Sequence, residues 1–171
     1  SKTVDGVRHG FVLDGAKRLR ETWGNNTLVP LYDNEDSVCG IIYNDEPYYF
    51  QKNLQGDIIG IVDKNSTVVA RYSYDAWGKC TIDSTTTNVT IANINPFRYR
   101  SYYFDQGTNL YYLQSRYYDA EIGRFINGDS AEFATHRLKI LEHNVFAYCE
   151  NDTINKFDEA GYAPYRLVAI G

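Results

Sequence analysis

Cysteine and histidine are the first residue types to consider as carriers of chemistry, and both are sparse in this chain. The cysteines are Cys39, Cys80 and Cys149. The histidines are His9, His136 and His143. None of the cysteines forms a Cys-x-x-Cys pair of the kind used by zinc or redox sites, and no ligand-rich neighbourhood surrounds the histidines. The sequence therefore predicts no metal and no cofactor, with the cysteines acting as small buried hydrophobic residues.

Tyrosine is the unusually abundant residue, with sixteen copies beside eight phenylalanines and two tryptophans. A tyrosine ring can be half buried while its hydroxyl stays in water, which suits a large sheet with one solvated face. Rows of exposed tyrosines could also bind sugar, although a core or lining role is the main expectation. The net charge of −5 argues against a nucleic-acid partner. The sequence contains no run of eighteen apolar residues, so it predicts no membrane-spanning helix.

The densest tyrosine-bearing stretch is Asn95–Asp129, NPFRYRSYYFDQGTNLYYLQSRYYDAEIGRFINGD. Aromatic and β-branched residues fit a pleated surface, so the pattern predicts a hairpin meander. We expect one strand over Phe97–Asp105, a turn in which Gly107 supplies positive φ, and a return strand over Leu110–Asp119. Gly123 predicts a further reversal.

Turn signals recur along the rest of the chain. Between apolar runs they include Asp5-Gly6, Asp14-Gly15, Asn44-Asp45 and Gln55-Gly56. An aromatic-Asp pair followed by glycine occurs at Tyr74-Asp75, Phe104-Asp105 and Tyr118-Asp119, with glycines at 78, 107 and 123. In this motif the aspartate can accept backbone N–H bonds in an Asx-type turn while the glycine takes the left-handed conformation. We therefore expect residues 1–129 to be mostly antiparallel strands in one continuous sheet.

Several of these motifs together resemble the signature of the Rhs/YD-repeat core domain. In order, they are Asn-Pro-Phe-Arg, a Tyr-Asp-type turn, Asn-Leu-Tyr-Tyr, Arg-Tyr-Tyr-Asp and Gly-Arg-Phe, all within residues 95–129. The resemblance implies a mainly β fold, an antiparallel hairpin meander of YD repeats forming part of a curved sheet or cocoon. It divides the chain into a YD-repeat sheet over residues 1–129 and a closing segment over 130–171. Short helical segments are expected after Asp129, leading to a variable domain outside this sequence.

The resemblance also implies a role and partners. The role is that of a secreted or cell-surface bacterial shell fragment that encloses or displays a C-terminal toxin domain of the same parent chain. An immunity protein or secretion machinery would be further partners. Copies of an isolated fragment would associate through unpaired sheet edges. Two alternatives stay open: an autoproteolytic aspartyl peptidase of the shell, and a cell-surface adhesion module that binds glycans.

The peptidase alternative names specific residues. Several members of the family cut their own chain after an Asp-Pro-x-Gly-Leu motif, using an arginine and two carboxylates. The resemblance assigns Arg116 and Asp129 to this machinery, with Asp119 as the second carboxylate because Tyr117 stands at the expected position. Two apposed carboxylates that share a proton can activate water, since the like charges push their pKa values apart.

The cleavage region would be Gly161 and Tyr162, where tyrosine replaces the leucine of the family motif. A structural interpretation competes with catalysis: Asp119 would cap the Tyr-Asp turn, and Asp129 would cap a helix. These departures from the family pattern favour the structural interpretation. We therefore predict that the bond after Tyr162 stays intact.

Overall fold

The predicted antiparallel architecture is confirmed in the computed structural model, which describes residues 1–128, 146–158, 161 and 165–166. The chain divides into two compact units, one of residues 1–73 with 81–101 and one of residues 74–80 with 102–171. Within the described ranges, no helix is both long enough and apolar enough to cross a membrane. The helix expected in the stretch from Ser130 to Leu141 lies outside the described residues.

Nine strands form the first sheet, and their spatial order follows the sequence. They are β1 (Lys2–Val4), β2 (Val7–Asp14), β3 (Lys17–Trp23), β4 (Asn26–Tyr32), β5 (Val38–Tyr43), β6 (Glu46–Lys52), β7 (Ile58–Val62), β8 (Val68–Tyr74) and β9 (Cys80–Ile82). Strands β1 to β8 pair antiparallel. One face carries the buried apolar side chains, since Ile41, Ile61 and Ala70 have no exposed surface. Alternation along each strand places the other residues on the opposite face.

Four hairpins of this sheet share a turn built on an Asp or Asn side chain. Its Oδ1 accepts the N–H groups of the residues two and four positions later, at 2.9–3.0 Å, in the turns that start at Asp33, Asn53, Asp63 and Asp75. The residue three positions later has positive φ in each turn, at Asp36, Gly56, Ser66 and Gly78. The predicted Asx-type turn is therefore confirmed at Tyr74-Asp75, and it also occurs where neither tyrosine nor glycine is present.

The first sheet ends before the signature stretch, so the single continuous sheet expected over residues 1–129 is two sheets. A short helix, α1 (Val89–Ile94), follows β9, and its N-cap Asn88 accepts the N–H of Ile91 at 3.0 Å. The strand expected over Phe97–Asp105 is also wrong in its first half. Arg100 and Ser101 have φ of 51° and 59°, and this left-handed backbone cannot continue a strand.

Four short strands form the second sheet: β10 (Tyr103–Asp105), β11 (Leu110–Tyr112), β12 (Tyr117–Asp119) and β13 (Arg124–Phe125). The return strand expected over residues 110–119 is thus two antiparallel strands, because a tight turn with Gln114 at φ 62° separates them. The prediction for the turn after β10 was wrong in one detail, because Asn109 and not Gly107 has the positive φ. A 3-10 helix (Cys149–Asn151) and the pair β14 (Lys156–Phe157) and β15 (Tyr165–Arg166) follow.

Candidate functional site: two buried polar clusters

The first half of the signature forms a buried structural cluster in the first unit. Asn95 is completely buried, and its side chain bonds both backbone groups of Phe97, accepting from the N–H at 3.1 Å and donating to the carbonyl at 2.6 Å. The guanidinium of Arg98 donates to the carbonyl of Asn93 at 3.1 Å and lies over the ring of Tyr72. The Asn-Pro-Phe-Arg motif is therefore a buried structural segment whose polar side chains form hydrogen bonds to nearby backbone groups.

Asp57 ties this segment to the turn after β6. Its Oδ1 accepts the backbone N–H of Arg100 at 2.9 Å, and its Oδ2 accepts from Asn53 Nδ2 at 2.7 Å. The Arg100 guanidinium donates to the carbonyl of Gln55, and the hydroxyl of Ser101 donates to the carbonyl of Gly56. A buried carboxylate is stable only when it is paired and hydrogen-bonded in this way. These contacts hold the left-handed conformations of residues 100 and 101.

The second cluster, which we call the clamp, consists of Arg116, Asp158, Gly161 and Ser115 in the second unit. Arg116 is 5% exposed. Its Nη2 donates to Asp158 Oδ2 at 3.0 Å, and its Nε donates to the carbonyl of Gly161 at 2.5 Å. The guanidinium carbon lies 3.5 Å from the centroid of the Phe125 ring, a cation–π contact on the remaining face. The planar guanidinium thus binds two groups of the C-terminal segment at once.

Asp158 is the most buried charged residue of the clamp, with 1% exposure. Its Oδ1 accepts the N–H of Gly161 at 2.7 Å, and its carbonyl accepts the hydroxyl of Tyr102 at 2.6 Å. The Tyr102 hydroxyl also lies 3.1 Å from that of Tyr148. Burial raises the pKa of Tyr102 far above its ordinary value, and the hydrogen bond to Tyr148 opposes this only in part. The phenol therefore stays neutral and remains a donor to Asp158.

Gly161 fits the clamp because it lacks a side chain. Its φ is +75°, and an added Cβ would lie 2.7 Å from Ser115 Oγ and 2.8 Å from the carbonyl oxygen of Leu113. The Ser115 hydroxyl donates to the Gly161 carbonyl at 2.6 Å, beside the bond from Arg116. Backbone conformation and packing both exclude any larger residue at this position.

The aromatic residues of the second sheet form a row that ends at Phe125, the ring over which Arg116 lies. Four rings occupy one row across the strands, at Phe104, Tyr111, Tyr118 and Phe125. The Tyr148 ring packs on that of Tyr118 with centroids 4.2 Å apart. The hydroxyls of Tyr111 and Tyr118 donate to the carbonyls of Gly78 and Trp77. These tyrosines are core residues whose hydroxyls are hydrogen-bonded, which agrees with the core role expected from the sequence.

A separate aromatic row in the first sheet could have formed a sugar platform. The ring of Trp23 stacks on His9 at 5.3 Å and on Tyr43 at 6.0 Å. His9 lies on β2 and Tyr43 on β5, so rings from strands on either side of β3 stack on Trp23. His9 Nδ1 lies 2.7 Å from Glu21 Oε1, which ties the row to a buried carboxylate. The arrangement favours cross-strand stabilisation of the sheet.

Only some of the residues assigned to self-cleavage lie among the described residues. Arg116 and Gly161 are joined in the clamp. Asp119 lies in the predicted Asx-type turn, where its Oδ1 accepts the N–H of Glu121 at 2.8 Å and Gly123 takes positive φ. Asp129 and Tyr162 lie outside the described residues. Among the described residues, no group of three His, Cys, Asp or Glu side chains could hold a metal ion.

Sequence reasoning missed Asp158 as the buried partner of Arg116. Its signal was the spacing Asp-x-x-Gly at residues 158–161, which survives although the proline and leucine of the family motif are replaced. That spacing lets the aspartate accept the glycine N–H three residues later. The ion pair with Arg116 joins residues 42 positions apart, which no local pattern reveals.

The chain is similar in sequence to one protein family and to much longer bacterial proteins. A family model described as Teneurin YD-shell matches residues 22–154. The tRNA nuclease WapA of Bacillus subtilis (strain 168) is 33% identical over 174 residues, covering 99% of this chain and 7% of that protein. The double-stranded DNA deaminase toxin A of Burkholderia cenocepacia (strain H111) is 35% identical over 83 residues, covering 48% of this chain and 6% of that protein. The chain therefore spans less than a tenth of these relatives.

A solved structure shows the same fold at lower sequence identity. The crystal structure of TcdB2-TccC3-Cdc42 superposes on this chain with a TM-score of 0.66 and 20% identity. The match covers 85% of this chain and 7% of that one. The likeness therefore shows a shared fold, without implying a shared partner.

Proposed function

Because the chain belongs to the Rhs/YD-repeat shell family, as its motifs predicted, we propose that it closes a shell around a toxin of the same parent chain. The relatives that carry toxin or nuclease names are far longer than this chain, which covers 7% and 6% of their length. In this proposal residues 1–129 supply shell strands, and residues 130–171 lead to the toxin domain. Secretion, and recognition by an immunity protein, belong to the same proposal.

The clamp is the observation that carries this proposal. It holds the backbone at Asp158 and Gly161 through three side chains of the second unit, Tyr102, Ser115 and Arg116. The chain path just before the proposed toxin boundary is thereby fixed. Such an anchor prevents the segment from being drawn out of the shell without breaking a buried ion pair, which costs about 3–5 kcal/mol.

Limited proteolysis of the full parent chain tests this role. We compare the wild type with Arg116→Met, which removes the guanidinium but keeps much of the side-chain volume. Arg124→Met is the matched control, because Arg124 is exposed and lies in the second sheet, near the clamp in sequence but not part of it. We expect new cuts near residues 158–161 and faster loss of the C-terminal domain in Arg116→Met alone. Equal resistance of all three proteins would contradict an anchoring role.

Self-cleavage is the second candidate function, and the contact between Arg116 and Gly161 favours it. Arg116 binds the carbonyl of the residue that precedes Tyr162, which is where the family resemblance places the cleavage region. Asp119 is engaged in its turn, so we expect the bond after Tyr162 to stay intact. Intact mass of the wild-type parent chain beside Asp129→Asn decides between the two. A wild-type fragment ending at Tyr162, absent in Asp129→Asn, would establish the peptidase.

A further inference from the structure

Asn127 and Gly128 form the only Asn-Gly pair in the sequence. Both residues are exposed, and Ile126 alone separates them from β13, the last strand of the second sheet. Asn127 Oδ1 accepts the backbone N–H of Tyr117 at 2.9 Å. This pair has no part in the clamp, and its exposure and chemistry give it a separate role.

We propose that Asn127 is a site of spontaneous deamidation through a cyclic imide. In the first step, the backbone nitrogen of Gly128 loses its proton and attacks Asn127 Cγ, the Cγ–Nδ2 bond breaks, and ammonia leaves. In the second step, water adds across one of the two C–N bonds of the imide ring. The products are aspartate, or isoaspartate in which the main chain runs through the side chain.

Two features of the structure promote the first step. Gly128 has no Cβ, so its nitrogen can approach the neighbouring side chain with little steric hindrance. Negative charge develops on Asn127 Oδ1 as the nitrogen attacks, and the Tyr117 N–H already points at that oxygen. A fixed backbone donor at the place where an oxyanion forms is the arrangement that stabilises acyl-transfer transition states.

The two products affect the sheet differently. Aspartate keeps an oxygen for the Tyr117 N–H, and its charge strengthens that hydrogen bond. Isoaspartate lengthens the main chain by one carbon at the end of β13 and displaces this acceptor. Either product adds one negative charge to the formal net charge of −5.

The test is ageing of the full 171-residue chain at mildly alkaline pH, followed by peptide mapping and ion-exchange chromatography. Gly128→Ala is the key variant. An added Cβ at this glycine would lie 3.8 Å from the nearest atom, in the ring of Phe146, and its φ is outside the left-handed region. Alanine therefore fits the fold while hindering the approach of the nitrogen. Asn65, which is exposed and precedes a serine, is the internal control in the same peptide map.

We expect Asn127 to convert before Asn65, with both aspartate and isoaspartate among the products. Gly128→Ala should slow the conversion at least about tenfold, equivalent to about 1.4 kcal/mol in the barrier. An Asn127 that keeps its amide while Asn65 converts would overturn the proposal. Formation of aspartate alone, at the same rate in Gly128→Ala, would overturn the cyclic route.

Discussion

Replacing Asp158 with asparagine tests how much the buried ion pair of the clamp contributes to the free energy of unfolding. In Asp158→Asn the amide oxygen can still accept the Gly161 N–H, and the NH2 group then faces Arg116, so the change removes both the charge and the acceptor that pair with the guanidinium. The side chains of Arg116 and Asp158 are 6% and 2% exposed, so the guanidinium would be buried without its counter-charge. Breaking a buried pair costs about 3–5 kcal/mol. A domain's total stability is about 5–15 kcal/mol, so the effect should be large.

Urea unfolding followed by tryptophan fluorescence measures this loss. The two tryptophans lie in different units, so Trp23→Phe leaves Trp77 as the reporter of the unit that holds the clamp. A loss of about 3 kcal/mol lowers the urea midpoint by about 1–3 M when the m-value is about 1–3 kcal/mol/M. The m-value itself should not change. Glu121→Gln is the control, because its ion pair with Lys79 is exposed and contributes little.

Two outcomes would refute this reasoning. One is an Asp158→Asn midpoint that coincides with that of the Glu121→Gln control. The other comes from the double variant Arg116→Met/Asp158→Leu, in which both charges are replaced by apolar groups. Because no buried charge is left unpaired, we expect it to be more stable than either single variant. Additive losses would show that the two side chains do not act as a pair.

Further changes test the turns, the buried phenol and the sheet edge. Gly161→Ala should destabilise the second unit by about 2–4 kcal/mol in the same urea assay, since it combines left-handed strain with overpacking. Ser66→Gly should raise the free energy of unfolding by about 0.5–1 kcal/mol, because glycine adopts the positive φ of that turn without a steric penalty; a lower melting temperature would contradict this. The raised pKa of Tyr102 predicts a loss of stability above pH 10.0, the ordinary value of the phenol. There the unfolded chain releases a proton that the folded chain keeps, so stability should fall by about 1.4 kcal/mol per pH unit, and Tyr102→Phe should flatten this slope. Within the described residues β1 pairs only with β2, so light scattering should show concentration-dependent association of the fragment; a monomer across a wide concentration range would count against it.

The turns were predicted well because their cause is local. An Asp side chain reaches N–H groups two and four residues away, so Asp75 and Gly78 reveal their turn in five letters of sequence. The prediction failed where a left-handed residue lay outside any recognised turn motif. Gln114, which splits the expected return strand, carries no such signal. Tertiary contacts stabilise that conformation at a cost that no local propensity would predict.

The clamp shows where local information ends. Arg116 was identified through its motif, and Gly161 through its match to the cleavage motif of the family, but neither segment predicts that the two residues are in contact. Their contact depends on the strand pairing that places Arg116 beside Phe125 and on the burial of Tyr102 and Tyr148. Burial in turn makes the ion pair strong, because removing water lowers the local dielectric and makes an unpaired charge costly.

By itself, the sequence determined the class of the fold, the order of its hairpins and the family to which it belongs. Those properties follow from alternation, turn chemistry and ordered motifs, which act over a few residues. Only the tertiary structure decided that Asp119 serves a turn while Asp158, 42 residues from Arg116, completes the clamp. A carboxylate's role depends on what surrounds it after folding, and that environment is assembled from strands distant in sequence.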